Sequence, residues 1–75
     1  MSNSEPLGAK IRRLRTERGL SQDRLAIEAN VDQSGLSKFE RGRERTMGEV
    51  QLARIAKVLR LDLGELFSGT DHERE

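Results

Sequence analysis

The polar residues between positions 33 and 41 are spaced so that they would share one face of a helix. On a helical wheel of this segment, Leu36 and Phe39 point toward one side. The opposite arc contains Gln33, Ser34, Ser37, Lys38 and Arg41. Such a face is usually plain solvated surface, yet glutamine can pair with adenine, lysine can donate to guanine, and serine tolerates several bases. The segment is therefore a candidate for hydrogen bonding to the edges of DNA bases.

Three arginines continue past this polar face. The segment after the third helix would run beside the phosphates that border a DNA groove, and its cations are Arg41, Arg43 and Arg45. Glu44 reduces the net positive charge of this segment. We expect these arginines to bind phosphate, with Arg43 the best placed. Three cations nearer the amino terminus are weaker candidates for phosphate binding and are equally consistent with simple surface charge: Lys10, Arg12 and Arg13.

Local signals predict two helices in the first 30 residues. Pro6 suits a first helical turn, and the apolar spacing that follows predicts a helix over about 6–18, which Gly19 ends. Ser21 is a good N-cap for a second helix. Asn30 tolerates the left-handed conformation that ends a helix, so the turn after it is only about three residues long.

Three more helices follow. Asp32 can cap a third helix over about 33–41, which Gly42 closes. Thr46 and Glu49 predict a capping box for a fourth helix. The apolar residues of this helix cover a wide arc and indicate a central place in the core: Val50, Leu52, Ile55, Ala56 and Leu59.

A second capping box, formed by Asp62 and Glu65, predicts a fifth helix. We therefore expect an all-α domain over residues 6–67. Residues 1–5 and 68–75 are expected to be flexible.

The second and third helices, joined by their tight turn, form a helix-turn-helix over residues 21–41. This arrangement places its second helix in the DNA major groove. The polar face of the third helix would then meet the bases. We predict that the base-reading residues are Gln33, Ser34, Ser37 and Lys38.

The spacing of the motif sharpens this interpretation. A polar start, a small contact residue, a turn former and three buried apolar groups fall at Gln22, Ala26, Asn30, Val31, Leu36 and Phe39. With these residues, and with the segments "GLSQ", "LSKFERGR" and "LARIAKVLRLDLGELF", the chain resembles the Cro/C1-type helix-turn-helix family, also called the XRE family, over residues 7–67. The resemblance implies a compact five-helix bundle of the lambda-repressor-like DNA-binding type.

The resemblance also implies roles for three further residues. Gln22, at the start of the second helix, would hold a backbone phosphate. Arg15 and Glu40 would form a partly buried ion pair that fixes the third helix on the scaffold. Removing either partner of such a pair leaves a lone charge, so folding should suffer before specificity does.

Two residues of the third helix depart from the family pattern. Gly35 stands where a larger polar or aromatic residue is commoner, so either the second helix or a DNA strand would lie too close for a side chain. Asp32 stands where serine or threonine is commoner. Its charge would either weaken binding to phosphate or favour a cytosine amine.

The composition excludes several other classes. The chain has 75 residues, no cysteine and a net charge of +1, so we expect a single small domain without disulfides, thiolate metal clusters or a ligand-sensing module. No apolar signal region or membrane span occurs, which predicts a cytoplasmic protein. Tyr and Trp are absent, which disfavours single-strand RNA binding. Catalytic motifs are absent and the one histidine is His72 near the carboxyl end, so we expect no enzyme, metal or cofactor.

One recognition helix reads few bases, so we expect a homodimer on two half-sites. Leu63 and Phe67 are the predicted interface residues, and Leu66 is expected inside the monomer core. We predict a sequence-specific regulator of transcription that binds double-stranded DNA at a pseudo-palindromic operator. A phage-type repressor and a restriction-modification controller both fit this sequence. An antitoxin that also binds a protein partner is the alternative function.

Overall fold

The computed structural model of the chain describes residues 5–44 and 46–71. The described residues form five α-helices: α1 Leu7–Glu17, α2 Gln22–Ala29, α3 Gln33–Glu40, α4 Glu49–Val58 and α5 Leu63–Phe67. The neighbouring helix pairs are α1 with α3 and α5, α2 with α3 and α4, and α4 with α5. The predicted all-α five-helix architecture is confirmed.

An aliphatic core joins all five helices. Its fully buried large side chains are Leu7, Ile11, Leu25, Leu36, Ile55, Leu59 and Leu66. Because every helix contributes at least one of them, no helix can leave without exposing core surface to water. The core therefore fixes α3 against α1 and α2.

The predicted helix ends are mostly present. Ser21 Oγ accepts a hydrogen bond from the Arg24 backbone N–H at 3.0 Å. Asn30 adopts the left-handed conformation with φ 56°. At α5, Asp62 Oδ1 accepts from the Glu65 N–H at 2.7 Å and Glu65 Oε1 accepts from the Asp62 N–H at 2.9 Å.

The start of α4 differs from the prediction. The helix begins at Glu49 with Gly48 as its N-cap, so the box expected between Thr46 and Glu49 does not form. The Gly48 N–H instead donates to Gln51 Oε1 at 3.0 Å. Val50 was expected in the core but is 64% exposed, because its position on α4 points away from the buried side. The apolar arc of α4 is therefore narrower than the sequence indicated.

The segment after α5 contacts the start of the chain. Residues 68–71 fold back onto Glu5: the Glu5 N–H donates to the Gly69 carbonyl and the Asp71 N–H donates to the Glu5 carbonyl, both at 3.0 Å. Thr70 is buried. These long-range backbone bonds join two segments that the sequence analysis had treated as separate flexible ends. The rest of both predicted flexible segments, 1–4 and 72–75, lies outside the described residues.

Candidate nucleic-acid interface

The predicted reading face of α3 is solvent-facing. Gln33, Ser34 and Lys38 are exposed and Ser37 is half-buried, while Leu36 and Phe39 on the opposite side are buried. None of these four polar side chains forms a hydrogen bond or ion pair with another described residue. Their donors and acceptors are therefore free to meet an external partner.

The turn between α2 and α3 sets the angle at which this face is presented. Ala26 on α2 is small and buried. Its carbonyl accepts the Val31 N–H at 3.0 Å and so closes the turn. Asp32 Oδ2 then caps α3 by accepting the Gly35 N–H at 2.8 Å. The backbone bond closes the turn and the Asp32 cap fixes where α3 begins, so α3 packs directly against α2.

The ion pair implied by the family resemblance is present. Arg15 Nε and Nη2 donate to the two carboxylate oxygens of Glu40, each at 2.9 Å. The side chains are 13% and 1% exposed, respectively. The hydrogen bond to Glu40 raises the pKa of the Arg15 guanidinium, while burial opposes that rise and the Glu40 charge adds to it. A raised pKa keeps the Arg15 guanidinium charged at every ordinary pH, so deprotonation of Arg15 weakens the ion pair only in strong alkali.

Gln22 lies against the same pair. Its Nε2 donates to Glu40 Oε1 at 3.1 Å, and its side chain is partly buried. An amide nitrogen carries two hydrogens, so one remains available for a phosphate. The hydrogen bond to Glu40 was missed from the sequence because the two residues are 18 positions apart and no local pattern links them.

The three predicted phosphate-binding arginines follow α3. Arg41 and Arg43 are exposed and form no ion pair with the described residues. The Arg43 backbone N–H donates to the Lys38 carbonyl at 2.8 Å, which holds this segment against the end of α3. Arg45 lies outside the described residues.

Lys10 is not a surface cation. It is 9% exposed, and its Nζ donates to the Glu65 and Ser68 carbonyls, each at 2.7 Å. Neither of the two alternatives for Lys10, phosphate contact or simple surface charge, fits this position, because its ammonium already donates to carbonyls at the carboxyl end of α5. Arg13 pairs with Glu5 at 2.6 Å, and Arg12 stays exposed.

Gly8 and Gly35 differ in the space that a side chain would find. A Cβ on Gly8 would lie 1.9 Å from the Phe39 carbonyl oxygen, so α1 and α3 touch backbone to backbone there. A Cβ on Gly35 would meet only the Asp32 side chain, at 3.5 Å or more. Of the two alternatives for Gly35, the one in which α2 lies too near for a side chain is therefore wrong.

The predicted interface residues Leu63 and Phe67 are half-buried and pack against the core, whereas Leu66 is fully buried. Two large apolar residues with greater exposure were not predicted: Ile27 is 74% exposed and Val50 is 64% exposed. Within the described ranges, no helix is both long and apolar enough to cross a membrane.

Helix α3 has an exposed polar face and packs against α2, to which a tight turn joins it; this arrangement is a helix-turn-helix. A family model described as "Helix-turn-helix domain" matches residues 6–67, and the chain belongs to this family. The control protein C.MunI of a Mycoplasma species is 36% identical over 67 residues, covering 88% of this chain and 89% of that protein.

Solved structures agree with this family. The restriction-modification controller protein C.AhdI from Aeromonas hydrophila superposes with a TM-score of 0.76 at 35% identity, covering 83% of this chain and 92% of that chain. SinR of Bacillus subtilis, the master regulator for biofilm formation, in complex with DNA, gives 0.78 at 31% identity, covering 83% and 98%. The chain spans about half the length of two other curated relatives, HTH-type transcriptional regulators of Bacillus subtilis, at 48% and 40%.

Proposed function

We propose that this protein is a sequence-specific regulator of transcription that binds double-stranded DNA. The observation that carries the proposal is the exposed, unpaired polar face of α3 on a helix whose other side is buried. The complex of SinR with DNA, which shares this fold, supports the same partner. An α-helix fits the major groove, where each base pair presents its own pattern of donors and acceptors.

Each side chain then has a role that follows from its chemistry. Lys38 donates to guanine O6 and N7, Gln33 pairs with adenine, and Ser34 and Ser37 bond to whichever group lies opposite. Gln22, Arg41, Arg43 and Arg45 bind phosphates and set the register on the duplex. Arg15 and Glu40 touch no base, but they hold α3 in position.

The protein acts as a homodimer on a pseudo-palindromic operator. A second copy doubles the number of bases read, which one short helix needs to find a site in a genome. Leu63 and Phe67 form the interface, since both are apolar, lie on α5 and are only half-buried in the monomer.

Control of a restriction-modification system is the more specific role that the comparisons favour. C.MunI and C.AhdI are named as control proteins, and the chain covers most of each. The genes beside this one test that role. A neighbouring methyltransferase and endonuclease, with the selected site upstream of them, would support it, and an adjacent toxin gene would favour an antitoxin instead.

Selection of bound duplexes from a random pool tests DNA binding, symmetry and half-site spacing together. We expect Lys38→Ala to reduce the free energy by which the protein discriminates between bases at one position of its site, by about 1 to 3 kcal/mol. Arg43→Ala should instead weaken all duplexes alike and flatten the salt dependence of binding. A purified protein that binds its best selected duplex no better than a scrambled one would refute the proposed function.

A further inference from the structure

Gly35 is not explained by the fold of the free protein. Glycine weakens a helix, so it is expected where φ is positive, where a neighbour packs closely, or where a ligand approaches the backbone. Gly35 lies within α3 and its φ is not positive. A Cβ there would make only ordinary contact with Asp32. Approach by a ligand is the reason that remains.

Asp32 brings an exposed carboxylate oxygen to the same end of α3. Its Oδ2 caps α3, but its Oδ1 forms no hydrogen bond or ion pair with the described part of the chain. A phosphate placed against this carboxylate would be repelled. In the major groove the available donors are the exocyclic amines of cytosine and adenine.

The geometry joins these two features. Cβ bonds tilt toward the amino end of a helix, so the open space beside Gly35 borders the Asp32 carboxylate, whose capping Oδ2 would lie 3.5 Å from a Cβ at this position. Gln33 and Ser34, which are exposed, lie on the same first turn of α3. The amino end of a recognition helix is the part that contacts base edges.

We propose that Asp32 and Gly35 form a notch at the amino end of α3 that admits one base edge and reads its exocyclic amine. Gly35 leaves the room, and the free oxygen of Asp32 accepts the hydrogen bond. The amine is cytosine N4 or adenine N6. This inference rests on the proposed DNA-binding function and adds a specificity determinant to it.

Two variants test the notch by duplex selection and by titration of the selected duplex. Asp32→Ser keeps a capping side chain but removes the carboxylate. We expect it to lose enrichment of the amine-bearing base at one position per half-site, with discrimination falling at least about fivefold. Duplexes with cytosine or adenine at that position, titrated against the wild type, identify which amine is read.

Gly35→Ala should change stability and affinity in opposite directions. We expect the melting temperature of the free protein to rise by about 2 to 8 °C. Affinity for the selected duplex should fall at least about fivefold, because a methyl group then fills the notch. If Gly35 had only a structural role, the substitution would not raise the melting temperature and lower the affinity for DNA at the same time.

Matched controls exist on α5, where Asp62 is also an N-cap and Gly64 also has room for a Cβ. Asp62→Ser and Gly64→Ala should leave base preference unchanged. If the wild type selects no duplex, the proposed function fails. If the wild type selects a site but Asp32→Ser keeps the same base preference, or Gly35→Ala binds as tightly, the notch is refuted and DNA binding stands.

Discussion

Glu40 is the residue at which the fold and the reading face depend on each other. Its carboxylate is 1% exposed and accepts three hydrogen bonds, two from Arg15 and one from Gln22. A buried carboxylate of this kind is tolerated only while its partners remain. Arg15, the cation that compensates Glu40, is therefore needed to keep α3 attached to α1.

Arg15→Ala should lower the free energy of unfolding by about 3 to 5 kcal/mol, because Glu40 is then buried without its cation. Urea denaturation followed by circular dichroism measures the loss. Arg12→Ala, on an exposed site of the same helix, is the control and should stay within about 0.5 kcal/mol. A loss below about 1 kcal/mol for Arg15→Ala would mean that the pair does not hold α3.

At the scale of the helices, the starts of α2, α3 and α5 could be predicted because each depends on one side chain within three residues. Ser21, Asp32 and Asp62 all cap as expected. The start of α4 could not, because the true N-cap is Gly48, which has no side chain to signal it.

Capping at α5 and α4 should respond differently to substitution. Asp62→Ala removes both an acceptor and half of a capping box, and we expect it to cost about 1 kcal/mol. Thr46→Ala touches no cap, so thermal unfolding should place it within about 0.5 kcal/mol of the wild type. Equal losses in the two variants would contradict the observed start of α4.

The sequence also predicted the turn, the core stripe and the exposed face of α3, since all are set by residues within a helical turn or two. It missed what distant segments do to one another. The burial of Lys10 depends on carbonyls 55 and 58 positions away. The need for Gly8 depends on the Phe39 backbone. No periodicity or cap signal encodes such contacts, so they follow only from the assembled helices.

For the whole molecule, the predicted dimer is tested by charge placed on α5. Leu63→Glu and Phe67→Glu should each shift sedimentation toward the monomer, because a carboxylate cannot be buried unpaired in an apolar interface. Circular dichroism checks that each variant is folded. If Phe67→Glu does not fold, Leu63→Glu carries the test of the interface.

Val50→Glu is the comparison, since Val50 is exposed and apolar but lies on α4. If only this variant yields monomers, the interface lies on α4 rather than α5.

Helix α1 holds α3 through Arg15 and α5 through Lys10, two attachments about 7.5 Å apart along one helix. If two copies join through α5, α1 connects the polar face of α3 to the dimer interface in each copy through the bonds of Arg15 and Lys10. The distance between the two polar faces is then fixed, because no flexible linker lies between them and the interface. Such a dimer would span one fixed interval along the duplex. Operators with one base pair added between their halves would then be discriminated against by geometry, even with every contacted base unchanged.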